Sequence, residues 1–356
     1  MKIIAVAHNF IQLMRMMPAV ESIASITKGS THYCATCDYH GTDYKKWVTE
    51  DVKNEFLGRD IVTIGPPYRI GRKMYLFLAD NAPDLVFWWS GVSIGTSVIN
   101  QMKKRCKIIF CEVGFFPQLE HLYLDCQGIN YLSSARSTPC LAIDETQQAK
   151  LSDKIERFKN STFKEDKNFK EHGYIFLPLQ LEHDTQIRKF SPNFKRNKDL
   201  INFLSKEFRE EEIIAKPHPL DTKAASYVSK WANVRIATSV NTHQLIKNAK
   251  FVIGINSTVL IEALLYNKKV VAFGKGLFTG KNVVVEAHDN LKKAKMVYSF
   301  IPDCATIQNF LYQVAFHCQL KVADLNENNI VTKYYVDVND AIEWYKRNLD
   351  ESCCRT

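Results

Sequence analysis

Ile255-Asn256-Ser257-Thr258 follows the apolar run Phe251-Val252-Ile253-Gly254 and leads into a segment containing the apolar Ala263-Leu264-Leu265. That order reads as a buried parallel strand, a hydroxyl-bearing turn and a helix. Ser257 and Thr258 then stand where the N–H groups and positive end of a helix gather an anion, typically a phosphate. Upstream, Lys216-Pro217-His218-Pro219 closes another apolar run. Two polar turns at the carboxyl ends of neighbouring strands are how an open α/β sheet builds a nucleotide crevice. His218 lies between prolines, which stiffen its backbone and fix its ring direction. Beside a phosphate it would donate a hydrogen bond or carry positive charge against a leaving group. A histidine with structural or solvated duties is the alternative.

Two carboxylates stand at comparable places. Glu112 ends the run Lys107-Ile108-Ile109-Phe110-Cys111, and Gly114 two residues on would let a ligand approach closely. Asp184 follows Leu177-Pro178-Leu179-Gln180 by four residues, so Gln180 and Asp184 are expected at the mouth of a cleft opposite Glu112. Two carboxylates converging on one sugar are the apparatus of glycosyl transfer, one acting at the anomeric centre and the other on the proton. Equally, Glu182, His183 and Asp184 could simply cap the next helix. Asp125, Gly128 and Asn130 are turn formers, and on pattern alone they read as a turn. The glycines at 274, 276 and 280 lack Walker spacing and suggest a loop closing over a ligand. Lys275 within it is either a phosphate contact or a solvated lysine.

The elements that must position these residues follow from periodicity. Short apolar runs at 2–8, 60–65, 84–89, 107–112, 174–180, 212–217, 234–237, 251–255 and 269–273 alternate with helix-length segments, the pattern of parallel α/β units. The 356 residues suit two domains. The expected division is an N-terminal Rossmann-like domain over 1–150, a charged linker over 151–172, a second Rossmann-like domain over 173–335, and a closing helix and tail over 336–356. Ten scattered cysteines do not form a disulfide framework and fit a reducing compartment. His32, Cys34, Cys37 and His40 are too tightly spaced for one tetrahedral ion and read as surface-loop residues, so no metal site is expected. No apolar segment is long enough to span a bilayer and the N-terminus lacks a cleavage site, so a cytoplasmic protein is expected. The net charge of +9 asks for an anionic partner. No aromatic-interleaved basic pattern points to nucleic acid; the basic residues between 150 and 170 read as a solvated linker-helix face, a patch that a peripheral membrane role would also use.

In order and spacing these blocks resemble the capsule polysaccharide biosynthesis family of bacterial glycosyltransferases, which transfer 3-deoxy-manno-octulosonic acid (Kdo) from its CMP ester. The blocks are Glu112-Val113-Gly114 with Pro117, Asp125-x-x-Gly128-x-Asn130, Gln180-x-x-x-Asp184, Lys216-Pro217-His218-Pro219, and Ile255-Asn256-Ser257-Thr258. The resemblance implies a GT-B fold, two Rossmann-like domains facing across a cleft, with CMP held by the second. By the same resemblance His218, Ser257 and Thr258 would bind CMP, with Lys216 and Asn256 nearby. Asp184 would act at the anomeric carbon in a retaining double displacement, Glu112 would be the acid/base, and Gln180 and Asn130 would position the sugar. The family often has an arginine where this chain has Phe116, which puts one contact to the Kdo carboxylate or the acceptor in doubt. The implied acceptor is a lipid or glycolipid, typically phosphatidylglycerol-based, at the inner face of the inner membrane, with the protein peripheral to it. No cofactor is implied. A CMP ester carries one phosphate, which a helix N-terminus and a histidine can stabilise without a metal.

Two other readings compete. A cytidine-nucleotide transferase of the glycerophosphate-polymer type also pairs a His-Pro element with a serine-rich turn, but has no anomeric centre for a Gln180–Asp184 block to serve. A basic, non-catalytic nucleotide-binding module would need none of the carboxylates.

Overall fold

The computed structural model describes residues 1–8, 10–36, 61–64, 70–91, 96–221 and 231–322. The expected closing helix over 336–356 lies outside the described residues, as do Cys37 and His40. In chain order the strands are β1 (Lys2–Ala7), β2 (Ser30–Thr36), β3 (Ile61–Ile64), β4 (Leu85–Trp89), β5 (Lys107–Val113), β6 (His121–Asp125), β7 (Ile175–Pro178), β8 (Ile213–Lys216), β9 (Val234–Ile236), β10 (Phe251–Gly254), β11 (Val270–Ala272), β12 (Val285–Glu286) and β13 (Gln319–Lys321). The α-helices are α1 (Phe10–Thr27), α2 (Ile70–Asn81), α3 (Thr96–Met102), α4 (Ser134–Ser137), α5 (Glu145–Thr162), α6 (Thr185–Phe190), α7 (Asn197–Glu207), α8 (Thr242–Asn248), α9 (Val259–Leu265) and α10 (Cys304–Tyr312).

The chain forms two units. The first comprises Met1–Gly114, Gln118–Ile129 and the segment from Gln319 onward; the second comprises Phe115–Pro117 and Asn130–Cys318. The second unit is thus inserted between strands of the first.

In the first unit, the described strands order as β13-β6-β5-β4-β1-β2-β3. β1 to β5 pair in parallel, while β6 and β13 run antiparallel at one edge. Every residue of β4, Leu-Val-Phe-Trp-Trp, is buried, as a parallel strand covered on both faces requires. Its core gathers Ile3, Ala5, Phe87 and Cys111 beneath Leu13 and Val20 of α1. The surface-loop reading of His32 and Cys34 is corrected here. Both lie on β2, and Cys34 is fully buried, with its thiol pushed up to about 12 by desolvation. Thr-His-Tyr-Cys-Ala has β-branched and aromatic residues at alternate positions, a strand signal that its polar members mask.

In the second unit the order is β12-β11-β10-β7-β8-β9, all parallel. The chain starts in the middle at β7, runs outward through β8 and β9, then returns to the other side of β7 for β10, β11 and β12. Strand order reverses between β7 and β10, and ligands of open α/β sheets lie outside the carboxyl ends of the strands at that point.

The expected linker is in large part a helix. α5 begins with a capping box in which the Asp144 side chain accepts from Gln147 N–H and the Gln147 side chain accepts from Asp144 N–H. Leu151 and Phe158 are buried beneath it, and the Phe158 ring lies 5.9 Å from Phe116 and 5.2 Å from His243. A charged helix with few core contacts looks like a linker by composition.

Candidate functional site

The switch point of the second unit collects most of the residues singled out by sequence. Gln180 and Asp184 follow β7, Asn256, Ser257 and Thr258 follow β10, and Lys216 and His218 end and follow β8, the next strand out.

Gln180 and Asn256 tie the two central turns together. Gln180 Nε2 donates to Asn256 Oδ1, and Gln180 Oε1 accepts from the Asn256 backbone N–H, each at 3.2 Å. Asn256 Nδ2 donates to the carbonyls of Gln186 and Lys275, again at 3.2 Å. Both Asn256 amide protons therefore have protein acceptors. This side chain braces the site. The loop after β11 can come this close because residue 274 is glycine. A Cβ there would sit 2.8 Å from Ile255 Cγ2 and 3.2 Å from Asn256 Nδ2.

Asp184 caps α6, its Oδ1 accepting from Gln186 N–H at 2.8 Å. The capping alternative raised by the sequence is therefore real, and it uses one oxygen. Oδ2 has no partner among the described residues. Burial pushes the carboxyl up from its ordinary value, opposed by the Gln186 N–H and by His183 and His218 nearby. His218 is half-buried, and its Nδ1 accepts from Leu220 N–H at 3.1 Å. That bond requires an unprotonated Nδ1, so the neutral ring carries its proton on Nε2 and presents a donor there. Burial holds the imidazole below its ordinary value despite Asp184 and Asp221.

Lys216 ends β8. Its Nζ donates to the carbonyls of Val240 and Thr238, so it tethers the loop after β9. Ser257 Oγ accepts from Val259 N–H at 3.2 Å, which leaves its own proton to donate outward. The N–H groups of Leu260, Ile261 and Glu262 are taken by the carbonyls of Ser257 and Thr258. The first turn of this short helix is thus largely satisfied internally. An anion here would rely on hydroxyls and His218 more than on a helix dipole.

Beneath that turn lies a buried pair the sequence did not reveal. Glu262 on α9 is pushed up to about 7 and His243 on α8 down to about 4, each by desolvation. Glu262 Oε2 stands 3.8 Å from His243 Nε2.

The remaining sequence candidates resolve differently. Glu112 belongs to the first unit and lies one residue inside β5, paired opposite Tyr123 of β6. Gly114 packs against β6, where a Cβ would meet His121 Cβ at 2.4 Å, so its small size serves strand packing. Asp125 Oδ1 accepts from Gln127 and Gly128 N–H at 2.7 and 3.1 Å, the turn favoured by pattern. Asn130 has φ +52°, a left-handed conformation asparagine tolerates, and opens the second unit. Phe116 is fully buried as a core residue. Among the described residues, no helix is long and apolar enough to cross a membrane, and no three or more His, Cys, Asp or Glu converge as metal ligands.

Comparison with known proteins bears on this unit most directly. A family model described as capsule polysaccharide biosynthesis protein matches residues 139–322, which include Asp184, His218 and Ser257 but not Glu112 or Asn130. Protein FixF of Sinorhizobium fredii is 30% identical over 241 residues, covering 64% of this chain and 58% of FixF. The capsule polysaccharide export protein KpsS of Escherichia coli is 29% identical over 130 residues, 32% of this chain and 33% of KpsS. The chain thus spans less than two thirds of either relative. Among solved structures, the β-Kdo 2,7 transferase of Thermosulfurimonas dismutans KpsC superposes with a TM-score of 0.56 at 14% identity, over 90% of this chain and 92% of that one. The β-Kdo 2,4 transferase of the same protein gives 0.55 at 12%, over 88% and 89%. At these identities the likeness is one of fold, and that fold is of GT-B type with Rossmann-like units.

Proposed function

The chain belongs to the capsule polysaccharide biosynthesis protein family, and from that premise we propose that it is a retaining glycosyltransferase that moves Kdo from CMP-β-Kdo to a lipid or glycolipid acceptor. The observation that carries the reading is the meeting of Asp184, His218 and Ser257 at the carboxyl ends of β7, β8 and β10, beside the reversal of strand order.

In this reading the CMP phosphate lies against the Ser257 and Thr258 hydroxyls and the Nε2–H of His218. A neutral donor held by Leu220 needs no reorientation as charge builds on the departing phosphate. Asp184 Oδ2 forms a bond to the anomeric carbon as the bond to the CMP oxygen breaks, while Gln186 N–H holds Oδ1 and fixes the plane of the carboxylate. The acceptor hydroxyl then displaces Asp184, which returns the original configuration. Glu112 would take the acceptor's proton, a role that rests on the motif resemblance. Gln180 and Asn130 would position the sugar, Gln180 through the brace it shares with Asn256. Lys216 serves by holding the loop at 238–240. The protein would work at the inner face of the inner membrane, its positive charge favouring an anionic surface.

Calorimetric titration with CMP, UMP and GMP tests the donor assignment. Selective binding of CMP is expected. Equal binding of all three, or none, would remove the cytidine-sugar reading.

A further inference from the structure

Resting on the donor reading above, we infer that Tyr131, Arg136 and Lys275 form an anion subsite that receives the carboxylate of an acidic sugar, with the Tyr131 ring as its platform. Arg136 Cζ lies 4.7 Å from the centroid of the Tyr131 ring, and Lys275 Nζ lies 5.2 Å from the same centroid. Arg136 is held there by Nε donating to the Tyr131 carbonyl at 2.7 Å and a terminal nitrogen donating to Ser137 Oγ at 3.3 Å. A third cation, Lys281, donates to the carbonyl of Thr138 in the same loop. All three are half-buried, and among the described residues no carboxylate lies within 4.0 Å of any of them. A ring face attracts one cation. Two cations on one ring repel each other, and a bound anion removes that repulsion.

The location specifies which anion. Lys275 N–H donates to the Phe190 carbonyl at 2.8 Å, and the Lys275 carbonyl accepts from Asn256 Nδ2. Phe190 ends the helix that Asp184 caps, and its ring lies 5.4 Å from that of Tyr131. The Lys275 backbone is therefore tied to Asn256, next to Ser257, and to the helix headed by Asp184, and Arg136 approaches the same Tyr131 ring as Lys275. In the donor reading, His218 and the hydroxyls serve the phosphate, so these cations remain for a charge on the sugar itself. A guanidinium and an ammonium gathered at one ring suit a carboxylate, and the tilted Tyr131 and Phe190 rings offer apolar surface to a sugar ring. Phe116 is buried in the core and supplies no cation.

The test titrates the wild-type chain, Lys275→Gln, Arg136→Gln and Lys275→Arg with CMP and with freshly synthesised CMP-Kdo. Both glutamine variants should bind CMP like the wild type and CMP-Kdo about tenfold or more weakly, the loss expected for a charge-assisted hydrogen bond. Lys275→Arg, which keeps the charge, should retain CMP-Kdo. Unchanged CMP-Kdo affinity in the glutamine variants, beside intact CMP binding, overturns the subsite and leaves the donor reading standing. Equal losses for CMP and CMP-Kdo, or loss in Lys275→Arg as large as in Lys275→Gln, also overturn it. If the wild type binds no CMP, the donor reading fails on its own. Free Kdo against its methyl ester then decides the subsite: a wild-type preference for the acid that disappears in the glutamine variants supports it, and no preference overturns it.

Discussion

Replacing Glu262 with glutamine should make the protein more stable at neutral pH. The folded carboxyl titrates at about 7, against 4.5 for the free group. Between those values the unfolded chain has lost a proton that the folded chain keeps, so stability falls as pH rises through the window. The difference of about 2.5 pH units corresponds to about 3 kcal/mol. His243 acts oppositely. Its folded value of about 4 against 6.5 means that stability is lost as pH falls from 6.5 to 4, again by about 3 kcal/mol. Over their shared window the two slopes cancel, and the pair gives wild-type stability little pH dependence. Glu262→Gln keeps the shape of the protonated acid and removes one slope. Urea unfolding at pH 5, 6 and 7 should show the variant gaining on the wild type with each step, by about 3 kcal/mol from 4.5 to 7. His243→Asn should instead reveal the falling slope of Glu262. A variant that loses ground toward pH 7 would refute the reasoning, because it would mean that Glu262 is ionised in the folded state and paired with a protonated His243. The outcome bears on the site, since Glu262 lies in the first turn of α9, just past Ser257 and Thr258.

Asp184→Asn should lower transfer on the order of 10³-fold or more while CMP titrations stay near wild type, because asparagine caps a helix about as well as aspartate. A normally active variant removes Asp184 from the anomeric centre. His218→Ala and Ser257→Ala should each weaken CMP binding by about 1.5–3 kcal/mol, read by calorimetry; unchanged affinity in both breaks the donor assignment. Transfer should survive EDTA, and metal-dependent turnover measured by product formation would contradict a phosphate held only by His218 and hydroxyls.

Much of this was legible because parallel strands buried on both faces are continuous apolar runs, so β7, β8 and β10 and the polar turns after them stand out. Strands of other kinds did not. β2 is rich in polar residues, and β12 and β13 are too short to show a period. The α5 helix hides only Leu151 and Phe158, so its composition resembles that of a linker. Residue types marked Gln180, Asn256 and Lys216 as polar groups at a crevice. Only the fold shows that Asn256 and Lys216 spend their donors on carbonyls distant in sequence. The meeting of Tyr131 with Lys275, and of His243 with Glu262, depends on long-range topology that no local pattern encodes.

The place of β13 has a consequence for how the protein is made. β6 ends at Asp125 and its edge partner arrives only at Gln319, after the whole second unit. During synthesis the sheet of the first unit must wait with its β6 edge exposed, a template for unwanted strand pairing. The inserted unit, by contrast, is complete once Cys318 has emerged. It is therefore expected to fold first, and a chain truncated after Cys318 should already resist proteolysis in its second unit while the first remains open to cleavage.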